Sequence, residues 1–300
     1  MTVDTGNPRA RPALAPKSDE PSFIGRVVGV VRYMSGSPTA MIGSAIILFW
    51  VMVAILAPWL APYDPNTIDY VALANPRPSE AYMLGTDHLG RDILSRLIWG
   101  ARTVLIVAPL GILSALIVGS TMGMVAGYYG GWVDEILSRF SDLVLAFPVL
   151  ILYVLLITTL GASAVNIILA VTISSSPAIG RLVRGQVLEL RTRDYVAAAK
   201  LRGETAAYIM LVEILPNTRG PIIIDACLRI GWTIIMIGVL GFLGLGLPPP
   251  TPDWGGMVKD AAKVIFSYPH MAIFPSIAIS SLVVGFNLLA DGLRELADRD

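Results

Sequence analysis

The residues with the clearest chemical signature lie in a charged insert, residues 181–219, between two long apolar stretches. Its charged side chains cannot lie in hydrocarbon, so the insert must be an excursion into water. Residues 195–201 are rich in alanine and favour a helix, which Gly203 can end in a left-handed conformation. A short helix with a face of small residues fits a groove on a partner protein. An ordinary charged loop, in which alanine merely favours helix, is the alternative.

Two ionisable side chains, Asp225 and Arg229, lie inside an apolar stretch further along the chain. They are four residues apart, so on a helix they share one face and can form an ion pair. Ionisable residues inside a membrane commonly mark a transport pathway, whereas a pair near the inner boundary need only neutralise itself. Asn166 and Asn287 are the other polar candidates for a pathway.

Catalytic motifs are missing from the apolar stretches. They contain no His-x3-His, Gly-x-Ser-x-Gly or paired-aspartate motif, which argues against an intramembrane enzyme. The chain also lacks the Gly-x4-Gly-Lys-Ser/Thr loop that binds nucleotide phosphates. His88, with Asp87 and Asp92 nearby, could suggest a metal site, but surface or capping roles suit these residues better. We expect no catalytic residue, no metal and no cofactor in this chain.

The composition is that of a membrane protein. Apolar residues make up 55% of the chain and charged residues 15%, and the mean hydropathy is +0.69. A soluble domain with so few charges would expose too much apolar surface. The expected fold class is therefore all-α integral membrane. The net charge of zero gives no sign of nucleic-acid binding.

Five stretches lack Asp, Glu, Lys and Arg, and each exceeds the ~20 residues that cross ~30 Å of hydrocarbon. They are residues 33–63, 103–133, 143–180, 230–252 and 264–290. The third would be roughly 57 Å long as one helix, so we divide it at Gly161-Ala162-Ser163, which favours a turn. The fifth span is predicted to begin earlier than its charge-free stretch, with Pro221 in its first helical turn. The six predicted spans are 39–60, 103–128, 143–160, 164–180, 221–244 and 271–290.

Lysine and arginine are distributed unequally between the two sides of the membrane. With Arg229 inside a span, the other 21 of the 22 divide into 15 on the side of the N-terminus and 6 on the other. Because cytoplasmic loops carry the excess of these residues, both termini and the insert 181–219 are predicted to be cytoplasmic. Residues 1–38, polar and rich in proline, are predicted to form a largely disordered cytoplasmic tail. Residues 39–300 then form the membrane domain.

The predicted outer loop, residues 61–102, contains an amphipathic segment. Its apolar residues fall on one helical face: Ile93, Leu94, Leu97 and Ile98. This pattern predicts a helix that lies at the membrane surface, with Thr86 or Asp87 as the cap of its first turn.

Three glycines in the second span, Gly119, Gly123 and Gly127, recur at every fourth position and lie on one helical face. Glycines in this pattern let two membrane helices approach closely. The contact can be internal to the chain or can join two subunits, and internal packing is the simpler interpretation.

Several stretches resemble a known family. Residues 194–203 read Asp-Tyr-Val-Ala-Ala-Ala-Lys-Leu-Arg-Gly and lead to Leu215-Pro216, a pattern that resembles the "EAA" loop of bacterial ABC-transporter permeases. Ala197 and Glu213 replace the glutamate and isoleucine of the wider consensus, as is usual in the peptide branch. Residues 84–102, 241–255 and 286–294 resemble the "C" subunit of dipeptide and oligopeptide permeases. The resemblance covers residues 38–296.

The resemblance implies a type I ABC importer permease (MetI-like) of six transmembrane helices in the cytoplasmic (inner) membrane. Such a subunit imports di- or oligopeptides by alternating access. Its partners would be a homologous second permease, two ATP-binding subunits that hold ATP and Mg, an extracytoplasmic solute-binding protein and membrane lipid. Nickel, glutathione or a sugar is an alternative cargo. An ion-coupled carrier is a further alternative, although the spans offer almost no ionisable residue for ion coupling.

The resemblance also implies roles for individual residues. The loop that couples the permease to the ATPase would comprise Asp194, Tyr195, Ala197, Ala198, Ala199, Gly203, Glu204, Leu215 and Pro216. Candidates for the translocation pathway are Asp225, Arg229 and Asn287. Candidates that face the solute-binding protein are Asp87, Arg91 and Trp254.

Overall fold

The computed structural model of the chain describes residue 34 and residues 36–298. Within that part the fold is all-α, as predicted, and the only β-type pairing is an isolated bridge between Thr86 and Asp92. The predicted N-terminal tail, residues 1–38, lies outside the described residues except at its last positions.

The helices follow one another with short connections, apart from the loop between α2 and α3. The α-helices are α1 Pro38–Ile55, α2 Ala57–Leu60, α3 Ile93–Tyr129, α4 Gly131–Leu145, α5 Val149–Leu160, α6 Ala164–Leu190, α7 Asp194–Leu201, α8 Ala206–Tyr208, α9 Leu215–Leu243, α10 Trp254–Ala262 and α11 His270–Ala297. A 3-10 turn covers Ala72–Ala74, and a π-helical segment, Ile209–Ile214, joins α8 to α9.

Among the described residues, five helices are long and apolar enough to cross a membrane: α1, α3, α6, the continuous run from α8 to α9, and α11. The helices α4 and α5 pass the same test only together, and they meet at an angle of 86°. With this bent pair counted as one span, the number is six, as predicted.

The start of α3 corrects the interpretation of the outer loop. Residues 93–98 are not a separate surface helix but the first turns of α3, which begins ten residues before the predicted span. Asp92 is the N-cap, since its carboxylate accepts from the backbone N–H of Ser95 at 2.8 Å. Capping by Thr86 or Asp87 was therefore the wrong expectation.

Two other helices also run beyond their predicted ends. The helix α6 continues past Gly180 to Leu190, and the fifth span begins at Ala206 rather than at Pro221. Pro216 lies inside the continuous helical run 206–243, directly after the π-helical segment, so it does not end a helix. Pro221 lies inside α9 and not in a first turn.

Among the described helices, α3 and α6 pack against each other most extensively, and the glycines of α3 make the contact possible. A Cβ at Gly119 would lie 2.5 Å from the carbonyl oxygen of Ser176, and one at Gly127 would lie 2.8 Å from Cβ of Val187. A Cβ at Gly123 would press against the carbonyl oxygen of Gly180. The glycine face therefore serves internal packing, which confirms the simpler of the two interpretations.

Candidate functional site

The charged insert folds into a short helical hairpin on one end of the bundle. We call residues 194–215 the charged hairpin. Val196 and Ala199 on α7 are fully buried, and they pack in one apolar cluster with Ile209 and Ile214 of the π segment and with Val187 of α6. This cluster fixes the hairpin to the membrane helices α6 and α9.

The end of α7 confirms the predicted helix stop at Gly203. This glycine adopts φ +78°, in the left-handed region. Its N–H donates to the carbonyl oxygen of Lys200 at 3.0 Å, and the N–H of Glu204 donates to that of Ala199 at 3.2 Å. These two bonds form a Schellman motif, which satisfies the last carbonyls of α7 and turns the chain back.

Polar contacts hold the two arms of the charged hairpin together. Nη2 of Arg202 lies 2.9 Å from Oε1 of Glu213, and Nε lies 3.7 Å from Oε1 of Glu204. Glu213 stands where the wider permease consensus has isoleucine, and the ion pair with Arg202 gives this glutamate a partner. Lys200 lies over the ring of Tyr128 at 5.6 Å, which attaches α7 to the end of α3.

The outer face of the charged hairpin is apolar and exposed. Ala197 and Ala198 are exposed, and Leu201 is exposed to 89%. Leu211 and Val212 of the π segment are also exposed. The sequence reasoning missed these last three residues. For Leu201, helical spacing could have shown this, because residues 196 and 199 lie on one face of a helix and residues 197, 198 and 201 lie on another.

The other residues assigned to coupling are less prominent. Asp194 is exposed in the first turn of α7, where a carboxylate is favoured by the helix dipole. Tyr195 is half-buried, and its hydroxyl is buried without a hydrogen-bond partner in the described part of the chain. Leu215 is half-buried against the cluster below α7, and Pro216 is exposed.

The pathway candidates bond mainly within their own helices. Asp225 and Arg229 form the predicted i, i+4 ion pair on α9, and each side chain is about a quarter exposed. Asn287 on α11 donates to the carbonyl oxygen of Val283 at 3.0 Å. Asn166 donates to the carbonyl oxygens of residues 160 and 161 at 2.9 Å each, so it stabilises the turn before α6. The pathway role of the first three residues stays a prediction.

The residues expected to face a solute-binding protein point inward instead. Trp254 is fully buried, and its Nε1–H donates to the carbonyl oxygen of Leu97 at 2.9 Å. Its assignment to a docking surface was wrong, because an apolar ring this size is more stable in the core. Asp87 accepts from Nε of Arg91 at 2.7 Å and lies 3.6 Å from Nε of Arg96. Asp87 and Arg91 therefore organise the loop before α3.

Comparison with known proteins identifies the fold. A family model described as binding-protein-dependent transport system inner membrane component matches residues 119–300, more than half of the chain. The chain belongs to this permease family. A second model, the N-terminal TM domain of oligopeptide transport permease C, matches residues 29–78. The protein is thus a permease subunit of an ABC transport system, as the sequence motifs indicated.

Two kinds of relative are similar to the permease over most of its length. It is 38% identical over 300 residues to the dipeptide transport system permease protein of Alkalihalophilus pseudofirmus, an alignment that covers 96% of this chain and 97% of that protein. It is 41% identical over 260 residues to the glutathione transport system permease proteins of Pectobacterium atrosepticum and Escherichia coli, with 86% of each chain covered.

Near Trp254, one buried acid makes the stability of the permease depend on pH. Asp253 caps α10 by accepting from the N–H groups of Gly255 and Gly256 at 3.2 Å each. Burial raises the pKa of its carboxyl from 3.8 to about 6, although the two N–H groups and the charge of Arg96 oppose the shift. The folded protein therefore keeps this proton to a higher pH than the unfolded chain, and stability falls as the pH rises from about 4 to about 6.

We expect the wild-type permease to gain about 1.4 kcal/mol in unfolding free energy between pH 7 and pH 5 from this group. Asp253→Asn keeps an oxygen acceptor for the cap but cannot titrate, so it should lose this part of the pH dependence. Thermal unfolding of both proteins at pH 5, 6 and 7 measures the difference. Identical pH slopes would contradict the assignment.

Proposed function

We propose that this permease is half of the transmembrane pathway of an ATP-driven importer, and that the charged hairpin docks into a separate ATP-hydrolysing subunit. The observation that carries the proposal is the exposed apolar face of the hairpin. Leu201 is exposed to 89% and lies beside the exposed alanines on α7, which gives this helix an apolar face that can enter a groove on a partner. The chain itself lacks the phosphate loop needed to hydrolyse ATP.

The opposite face of the hairpin supplies a mechanical connection to the membrane helices. Val196 and Ala199 are fully buried among apolar residues of α6 and the π segment. A force on α7 from the ATPase would therefore reach α6 and α9 through packed side chains, which move as a unit because the interior is densely packed. Closure and opening of the ATPase would then switch the bundle between inward-open and outward-open states.

A short peptide is the cargo that we propose. The relatives described above are named for dipeptide and for glutathione, which is itself a tripeptide. The hairpin would lie on the cytoplasmic side of the cytoplasmic membrane, in agreement with the excess of lysine and arginine there. A homologous second permease would complete the pathway, and a solute-binding protein would deliver cargo at the opposite end.

Replacing Ala198 by tryptophan tests the docking surface. Ala198 is exposed, so the bulky ring should leave the fold intact but separate the hairpin from its groove. We expect the amount of ATPase subunit that co-purifies with the permease to fall on the order of tenfold or more. Ala262→Trp is the matched control, because Ala262 is exposed at the end of α10 and lies outside the hairpin.

Both variants must be produced at the wild-type level for the comparison to hold. Retention of the ATPase by Ala198→Trp at the wild-type level would show that the hairpin is not the docking surface. Two ATPase subunits and one homologous second permease for each copy of this permease in the wild-type preparation would support the expected assembly.

A further inference from the structure

A groove with one charged residue at its end separates α1 from α3. Its volume is about 450 Å³, and its walls are apolar, with Ile47 and Val51 from α1, Leu105 and Ile106 from α3, and Phe286 from α11. Of the described residues, Arg102 of α3 is the only charged one that lines it. We call this feature the Arg102 groove.

The position of Arg102 along α3 places it at the boundary of the hydrocarbon. The helix has 37 residues and is roughly 55 Å long, well beyond the ~30 Å of a bilayer core. Arg102 is the last charged residue before the charge-free residues 103–133. The end of the groove therefore lies at the depth of lipid head groups.

The guanidinium of Arg102 has no anionic partner within the described part of the chain. It lies 5.7 Å from the centre of the Trp99 ring, and neither a carboxylate nor a carbonyl oxygen from those residues accepts a hydrogen bond from it. An arginine at this depth is most stable when its charge is neutralised, and a phosphate suits its planar donor geometry. The groove thus offers a positive charge above an apolar channel.

Part of the groove lining is exposed at the surface of the chain, since Ile55 is 61% and Ile106 49% exposed. In the most apolar window of α1, 22% of the residues are buried, the lowest share among the five long membrane helices of the described chain. Leu48, Phe49 and Met52 on this helix are all more than half exposed. A helix that is apolar on every side and so little covered is one that lipid surrounds.

We propose that the Arg102 groove binds one phospholipid, with its phosphate at Arg102 and one acyl chain along the apolar wall between α1 and α3. The indole of Trp99 lies beside the phosphate, at the depth where tryptophan is favoured. The groove contains no residue of the charged hairpin, and the proposal does not depend on the cargo. A failure of this proposal would therefore leave the function proposed above untouched.

Photo-crosslinking identifies the occupant directly. A benzophenone amino acid replaces Ile106, which is 49% exposed in the groove, and the full-length permease is irradiated in its native membrane. An adduct with the mass of a phospholipid supports the site. An adduct with a polypeptide, such as a helix of a second subunit, overturns it, and so does the absence of any adduct.

A second experiment tests the role of the charge. The permease is purified with its associated subunits, and the phospholipid that remains bound is counted by native mass spectrometry. The Arg102→Gln variant should retain about fivefold less bound phospholipid. This is the factor expected when one cation at the membrane surface is lost. Lys263→Gln is the control, since Lys263 is exposed beyond the end of α10. Equal retention by wild type and Arg102→Gln would overturn the assignment.

Discussion

Gly123→Leu is expected to destabilise the permease by about 3 kcal/mol or more, because the new side chain meets backbone rather than a movable side chain. Even a Cβ at this position would press against the carbonyl oxygen of Gly180 and would lie 2.9 Å from the amide nitrogen of Arg184. The helices α3 and α6 would have to separate, and the cluster beneath the charged hairpin would separate with them.

The control for this substitution is on the same helix pair. Gly185 of α6 has no heavy atom within 4 Å of the place where a Cβ would stand. Gly185→Leu should therefore be tolerated, and it removes a residue that disfavours helix. Thermal unfolding in detergent and the monodisperse fraction after extraction measure both variants. If Gly123→Leu unfolds at the same temperature as Gly185→Leu, then α3 and α6 do not pack as described.

Trp254→Ala should have a similar effect at the opposite end of the bundle, about 3–5 kcal/mol. The ring is fully buried, and it contacts Trp50 of α1 with ring centres 5.0 Å apart. The ring also packs against Gly100, where a Cβ would be 2.5 Å from Cδ1 and Nε1 of the indole. Removing it leaves a large cavity among α1, α3 and α10 and frees the carbonyl of Leu97.

An exposed tryptophan provides the comparison. Trp59 in α2 is 78% exposed, so Trp59→Ala should change the unfolding free energy by only about 0.5 kcal/mol or less. Unfolding by denaturing detergent, followed by the fluorescence of the remaining tryptophans, compares the two. A small effect for Trp254→Ala would mean that α10 is not anchored by this side chain.

The sequence predicted the parts of the fold that depend on local signals. The alanine run 195–201 and its stop at Gly203 needed only helix propensity and the freedom of glycine to adopt positive φ. The pair of Asp225 and Arg229 needed only helical spacing. These expectations are confirmed because neighbours along the chain decide them.

The boundaries of α3 and the place of Trp254 depended on contacts between distant parts of the chain. The amphipathic pattern of residues 93–98 places Arg96 on the polar side of a surface helix, yet it is 5% exposed within α3, where its Nη1 donates to the carbonyl oxygen of Pro65 at 3.0 Å. A charge that is satisfied by a distant loop can lie within a helix, and no local pattern reveals that partner. No local pattern shows the partners of Trp254 either, since the carbonyl of Leu97 that accepts from its indole N–H lies 157 positions earlier.

The bend between α4 and α5 has a consequence for how the chain sits in lipid. With 12 residues, α5 is roughly 18 Å long, which is less than the thickness of the hydrocarbon. The peptide groups at residues 145–148, where one helix ends and another starts, therefore lie at membrane depth without a full set of helical partners. Hydrocarbon does not tolerate bare peptide groups. The bend at residues 145–148 must therefore be covered by another polypeptide or must face a water-filled cavity. One copy of this chain alone does not satisfy these peptide groups in a bilayer.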